Sequence, residues 1–492
     1  MRREEKNKHE GWMLPLGERL AYIFGTGATQ SFNTFVSMFL AAYLLMIGVD
    51  PKISAVVVLF VKIWDAANDA IFGFMVDKIR FKDGKNKFTK WLFSGRYMPW
   101  FRTFFWILPV GMIMMFSAST DAPVVMRVAQ YAIGYFIFDT GLTIASAYSL
   151  VPLSLTDNLE ERNYIIAWGG LGQCVGLIPP MILGSMFVTA NVGYSGAAVI
   201  FSVIGLIIFL LPAMKLKERN VVSIAPEKRE KYTIKDAFAT FRIAPEALML
   251  CLGAFLCIIL ATDGGYSMFV CYYLFGNAKL SVMLGVISLI PTFVVVPFLP
   301  EIFKRLDKGT MLTLVCAITA ATSFLIYFLG VDFLKTHIVV YCMLYALRST
   351  TTVLFSFGCT MSIPDLAEVA KYRTGRDCGG IISAAHSFSY KLAQGIVGSL
   401  SLTLLAFFGW AAVEAKSFDE LASLNAQGIG LQTSQALSGL WIVSTLIPAF
   451  GYALGAAAFF FMKLNNKNVR IYMKCNGGEI TREEAENQLQ KI

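Results

Sequence analysis

The stretch Val61-Lys62-Ile63-Trp64-Asp65-Ala66-Ala67-Asn68-Asp69 lies midway along an apolar run from Ile53 to Met75. As a helix, a run of that length crosses a hydrocarbon core of about 30 Å. Three ionisable side chains nevertheless sit in its middle. Lys62, Asp65 and Asp69 fall at i, i+3 and i+7, so they share one helical face, with Asn68 beside them. Charge at that depth costs about 3 kcal/mol or more per group, so the face is turned to a partner or a watery cavity. One reading is an internal Lys62–Asp65 salt bridge that only locks helices together. The other is a hard-oxygen site for a small cation or a proton, built from Asp65, Asp69 and Asn68. The second is the working expectation.

The rest of the chain has the composition of a membrane protein. Of its 492 residues, 56% are hydrophobic and 15% charged, where a soluble protein carries about a quarter charged residues. Long apolar runs recur, which identifies a polytopic helical membrane protein. The nine cysteines lie mostly within these runs and form no CxxC pair, so they are read as small apolar fillers. The first nineteen residues are polar and basic, and the apolar run that follows is far longer than a signal-peptide core. No cleavable signal is expected. The sequence holds no HExxH, no GxSxG and only three histidines, so no membrane enzyme is indicated and no cofactor is expected.

Twelve spans are predicted at 20–47, 53–75, 100–119, 123–150, 163–189, 194–214, 246–275, 280–302, 309–329, 336–362, 378–409 and 436–462. Prolines inside them, such as Pro179-Pro180, Pro291, Pro297 and Pro448, are tolerable where neighbouring helices satisfy the freed carbonyls. Twelve spans place both termini on one side. That side gathers most of the 42 lysines and arginines, the other only Lys52, Lys279, Lys335 and Lys416. The positive-inside rule therefore makes both termini cytoplasmic in the cell membrane. The net charge of +9 is topological, and no nucleic-acid partner is needed.

The longest hydrophilic interruption, 215–245, divides the spans six and six. The expected architecture is all-α, with two pseudo-symmetric six-helix halves at 20–214 and 246–462. A cytoplasmic segment 1–19 and a tail 463–492 flank them. This is the layout of transporters built from two related halves. Gly73-x-x-x-Asp77-Lys78 ends the second span, and Glu301, Lys304 and Arg305 are a degenerate counterpart after the eighth. Such clusters either latch helix ends or are plain basic loops. Residues 411–435 read as an outer loop of small and polar residues.

At Lys62-Ile-Trp-Asp-Ala-Ala-Asn-Asp69 the chain resembles the glycoside-pentoside-hexuronide:cation symporters, the melibiose-permease-like branch of the major facilitator superfamily. Further matching blocks are Gly73…Asp77-Lys78, Gly95-Arg96-Tyr97-Met98-Pro99-Trp100, and Ser149-Leu150-Val151-Pro152 followed by Glu160-Glu161-Arg162. The last is Pro364-Asp365-Leu366-Ala367-Glu368…Tyr372-Arg373-Thr374-Gly375-Arg376, leading to Lys391. The resemblance implies a sugar carried with sodium or a proton by alternating access, by a protein acting as a monomer. It implies that Asp65 and Asp69 bind the coupling cation, that Lys391 competes for them and that Ser387 lies near the cation path. Lys62 joins this coupling group. Gly73, Asp77, Lys78, Arg96, Arg162, Asp365, Glu368 and Arg376 would form the cytoplasmic gate.

The departures are equally informative. The family's helix 1 and helix 4 sugar-binding acids align with Gln30 and Ile144, its helix 5 arginine aligns near Gly170, and its helix 4 tryptophan near Tyr148. Its helix 4 cation-binding threonine aligns with Gly141, between Thr140 and Thr143. Galactoside specificity is not implied. Candidate sugar-binding groups are instead Gln30, Asn33, Asp139, Tyr148, Arg348 and His386. Asp139 could supply the acid that Ile144 lacks, and Arg348 could hold a uronate carboxylate or merely neutralise an acid. His386 could relay protons or simply pack. Asp263 within Thr262-Asp263-Gly264-Gly265 marks either a mid-helix break or an outer loop. Alternatives to symport are an uncoupled sugar facilitator or exchanger, and a carrier of lipid-like solutes on the same fold.

Overall fold

The structure is a computed structural model that describes residues 14–79, 81, 84–146, 148, 151–156, 158–219, 234–262, 265–295, 298–376 and 378–490. Helix dominates, and each of the twelve predicted spans contains it. They are named α1 (Leu16–Met46), α2 (Pro51–Lys78), α3 (Met98–Phe116), α4 (Val124–Ser146), α5 (Glu161–Thr189) and α6 (Gly193–Lys215) in the first half. The second half holds α7 (Pro245–Ile259), α8 (Leu280–Val295), α9 (Lys308–Thr336), α10 (Ile338–Thr374), α11 (Gly379–Phe407) and α12 (Ser434–Phe460). Among the described residues, seven of these are long and apolar enough to cross a membrane: α3, α5, α6, α9, α10, α11 and α12. α7 and α8 are shorter apolar helices.

Local chemistry explains the irregularities. Pro179-Pro180 removes two backbone donors, and α5 passes through a π-helical turn at Pro180–Gly184 before resuming. The predicted span 246–275 is interrupted. α7 stops at Ile259, and helix returns only at Ser267–Phe269, continuing as a π turn at Val270–Leu274. Asp263 falls in that interval, outside the described residues. α9 is broken at Gly330, whose φ of 74° only glycine adopts readily. α10 runs twelve residues beyond its predicted end, to Thr374, and stops at the left-handed Gly375.

The chain forms two compact units. Unit 1 comprises residues 1–227 together with 411–431; unit 2 comprises 228–410 and 432–492. The boundary lies within the predicted central loop, and 411–431 packs with the first half although it sits in the chain between α11 and α12. Within unit 1, α1 packs on α5 and α6, α3 on α4 and α6, and α2 on α4. Within unit 2, α7 packs on α11 and α12, α9 on α10 and α12, and α8 on α10. The pairing repeats with a displacement of six helices.

Aromatic side chains fill the middle of unit 1, where Phe35 meets Phe39, Phe116 and Phe201 at 4.8–5.3 Å between ring centres. The core of unit 2 is more aliphatic, with Leu250, Met311, Leu312, Cys316, Leu366, Ile382 and Phe459 buried.

Candidate functional site

Inside unit 1, α2 meets α4, and polar side chains line the contact. On α4, Tyr135, Asp139 and Thr143 recur every four residues, so they form one stripe. On α2, Lys62, Asp65 and Asn68 recur every three. Asn68 is fully buried, and its amide nitrogen donates to Asp139 Oδ2 at 2.8 Å and to Thr143 Oγ1 at 3.0 Å. Asp139 is 2% exposed and close enough to the Asp65 carboxylate to feel its charge. Lys62 pairs with Asp65 at 3.3 Å and sits 5.4 Å from the centre of the Tyr135 ring. Two carboxyls, one ammonium, a phenol, a hydroxyl and a carboxamide thus converge on one helix contact.

Within this cluster one atom lacks a partner. Asn68 Oδ1 is buried and receives no hydrogen bond, while both donors on the same amide are used. An unsatisfied buried acceptor costs about 1–3 kcal/mol. The orientation is forced, because flipping the amide would aim its oxygen at the Asp139 carboxylate. What remains is an oxygen beside two carboxyls, the donor set of a hard monovalent cation. Trp64, with its indole nitrogen likewise unpartnered, packs its ring 5.1 Å from Phe136 and shields the cluster.

The structure regroups several predicted residues. Asp139, expected at the sugar, packs against α2, where it accepts from Asn68. Its partner Asn68 is 71 residues away, which no sequence window connects. The side chain of Asp69 lies outside the described residues. Tyr148, expected at the sugar, is taken up by packing in this state. It is 1% exposed, stacked 5.2 Å from Tyr22, and its hydroxyl bonds the Ala21 and Tyr22 carbonyls. Gly25 leaves the room it needs, since a Cβ there would fall 2.5 Å from the phenolic oxygen. Gln30 bonds Thr34 along its own helix at 3.1 Å, and Asn33 is half-buried.

In unit 2, Arg348 is buried on α10 and reaches the Ser444 carbonyl of α12 at 3.3 Å. His386 on α11 is buried with Nε2 unpartnered, 6.3 Å from the Tyr390 ring. Ser387 and Lys391 lie on exposed positions of the same helix.

The expected gate residues take separate partners. Asp365 pairs with Lys308 at 2.5 Å, and Glu368 accepts from Asn476 of the tail at 2.7 Å, rather than either meeting Arg376. Arg376 is exposed, and Arg162 is half-buried. Arg96 lies against the Tyr97 ring. The side chains of Gly73, Asp77 and Lys78 fall outside the described residues. Among the described residues, sequence reading missed several long-range ion pairs, two of them bidentate. Arg219 binds Glu18 bidentately at 2.7–2.8 Å, which raises the Arg219 pKa, and Arg373 binds Glu246 at 2.8–2.9 Å. The partners in each of these two pairs are more than a hundred residues apart.

Fold and site together define a polytopic secondary transporter. The chain matches the MFS/sugar transport protein family over residues 21–466, and it belongs to that family. Its role is therefore the transport of sugars across a membrane, not catalysis. It is 24% identical to the uncharacterized symporter YnaJ of Bacillus subtilis, over 92% of this chain and 93% of that one. It is 23% identical to the isoprimeverose transporter of Lactiplantibacillus pentosus, over 92% and 90%. Its fold is similar to the crystal structure of a D-xylose-proton symporter, with a TM-score of 0.58 at 13% identity, covering 91% of this chain and 97% of that one.

Proposed function

We propose that the protein is a cation-coupled sugar symporter working by alternating access. Its coupling site lies at Asp65, Asp139 and Asn68, with Thr143 as hydroxyl support. The observation that carries this reading is the buried, unpartnered Asn68 Oδ1 beside two carboxyls. A sodium ion would satisfy that oxygen and neutralise the carboxyls together; a proton would bridge the Asp65 and Asp139 carboxyls. Lys62 holds Asp65 when the cation is absent. Asp69 is assigned to the cation, and Lys391 and Ser387 to coupling, through the family resemblance. Gln30, Asn33, Arg348 and His386 are assigned to the sugar, with Arg348 the group for a uronate. Cation and sugar then raise each other's affinity by the same factor. With both termini cytoplasmic, the sugar enters across the cell membrane, and the monomer is the working unit.

The test is calorimetric titration of the purified protein with methyl glycosides, a xylose disaccharide and a glucuronide, with and without sodium, at two pH values. Mutual enhancement of sugar and cation binding, abolished in both Asp65→Asn and Asp139→Asn, is the expected result. Sugar binding indifferent to sodium and pH would sink the coupling. The Lys62–Asp65 pair favours a second reading, in which Lys62 is a permanent counter-ion and the protein an uncoupled facilitator. That same indifference would select it.

A further inference from the structure

Residues 411–431 are the one stretch that packs in unit 1 while both its flanks belong to unit 2. Its docking is specific. Val413 N–H donates to the Leu45 carbonyl at 3.0 Å and Ala415 N–H to the Met46 carbonyl at 2.8 Å, with Glu414 paired antiparallel to Ile47. The Glu414 carboxylate meets the guanidinium of Arg127, buried at the start of α4, at 2.6 Å. A short helix, Phe418–Ala426, buries Phe418 and Leu421 and lies against the Ser185–Thr189 end of α5. Two glycines make the approach possible. A Cβ on Gly48 would fall 2.5 Å from Glu414 Cγ, and one on Gly193 would fall 2.4 Å from the Lys416 carbonyl oxygen.

The connections on either side have little slack. Trp410 is buried against Phe269 and Tyr273 of unit 2, and Val413 is already bonded in unit 1. Three residue steps separate them, at most about 11 Å of chain. On the far side, Gly430 packs on Val413, and Thr433 already caps α12 through the Ala436 N–H. Rocking of one half of a transporter against the other cannot be absorbed in tethers this short.

The polar contacts just named are also arranged so that separation leaves each partner solvated or bonded elsewhere. Without Glu414, Arg127 keeps the carbonyls of Ile47, Ala122 and Thr120. The Glu414 side chain is already half exposed, so it returns to water. The Leu45 and Met46 carbonyls belong to the last turn of α1, where helix carbonyls have no partner within the helix and accept water instead.

We infer that residues 411–431 are a releasable clasp, docked on unit 1 in this state and freed at another stage of transport. The inference rests on the alternating-access reading, and its first test needs no substrate. In hydrogen exchange on the purified full chain, the Val413 and Ala415 amides should exchange at least ten-fold faster than those midway along α1. Glu414→Gln should speed them several-fold further. Protection as complete as mid-α1, unchanged in Glu414→Gln, would overturn the clasp.

The second test closes it covalently, with Ile47→Cys and Glu414→Cys, which face each other across the bridge. Oxidation should stop uptake of radiolabelled methyl β-D-glucuronide by cells, reductant should restore it, and each single-cysteine variant should be insensitive. Unchanged uptake after complete cross-linking would overturn the inference. A wild-type chain that takes up neither this probe nor any other sugar would fail the symporter reading, leaving the exchange experiment to decide the clasp.

Discussion

The α2–α4 contact of unit 1 and the α8–α10 contact of unit 2 occupy equivalent places in the repeated pairing, yet they differ in chemistry. The first gathers Lys62, Asp65, Asn68, Tyr135, Asp139 and Thr143. In the second, α8 carries no charged residue between Leu280 and Val295, and the buried charge of α10, Arg348, is directed to α12. A repeated scaffold need not carry repeated function. Packing constrains only which helices touch, while a single polar stripe decides which contact can hold an ion. In the proposed reading the two units divide the work, the ion falling to the first and the anionic part of a sugar to the second.

The largest effect should come from Asp139→Asn. It keeps the shape of the α2–α4 contact but removes a charge, and we expect cation-stimulated uptake to fall by about 5–150-fold, the usual span of a coupling free energy. Uptake driven by an imposed sodium or pH gradient measures it. A retained response would mean that the two contacts do not differ in function. Arg348→Gln should act on the other side of the comparison. It should weaken uronide binding about ten-fold, the worth of a charge-assisted hydrogen bond, and leave a neutral methyl glycoside and the cation response unchanged. Competition titrations with both sugars would show whether the division of labour holds.

Packing offers a sharper contrast between the equivalent α3–α4 and α9–α10 pairs. A Cβ at Gly134 would meet the backbone nitrogen of Met115 at 2.5 Å, and one at Gly111 the nitrogen of Phe138 at 2.3 Å. At Gly358 it would meet the side-chain ends of Met311 and Leu312, which can turn away. Gly134→Ala should thus cost about 2–3 kcal/mol and Gly358→Ala less than about 1 kcal/mol. Thermal unfolding in detergent would read the difference as a larger drop in midpoint for the first. The smallest effects belong to the ion pairs of unit 2. Glu246→Gln breaks the half-buried bidentate pair with Arg373 and should cost about 1 kcal/mol after screening by solvent. Glu301→Gln, in the exposed pair with Arg305, should leave the unfolding midpoint where it is.

Much of this was legible in the sequence because membranes impose strong, one-dimensional rules. Span length, the lysine and arginine bias and the rarity of charge in apolar runs each act along the chain. They located α2 and its acidic face. The stripe Tyr135–Asp139–Thr143 was legible too, through its four-residue spacing, although only Asp139 was singled out. Two contacts were not legible. The sequence neighbours of Asp139 suggest no partner, yet it meets Asn68 of α2, and nothing near Tyr148 in the chain points to its stacking on Tyr22. The break in span 246–275 was marked in the sequence by Thr262-Asp263-Gly264-Gly265, but local pattern left open whether it was a break within a helix or an outer loop.

The sequence by itself determined the class of protein and where helix runs along the chain, and it singled out the acidic face of α2, because hydrophobicity and charge act residue by residue. Only the tertiary structure decided that Asn68 turns its amide nitrogen to Asp139 and leaves its oxygen unpartnered. It alone decided that residues 411–431 dock on the half of the molecule to which they are not joined. Both depend on contacts between groups 71 and several hundred residues apart. Hydrogen-bond direction and close approach at glycine are properties of three-dimensional neighbours, and no local pattern in the chain encodes them.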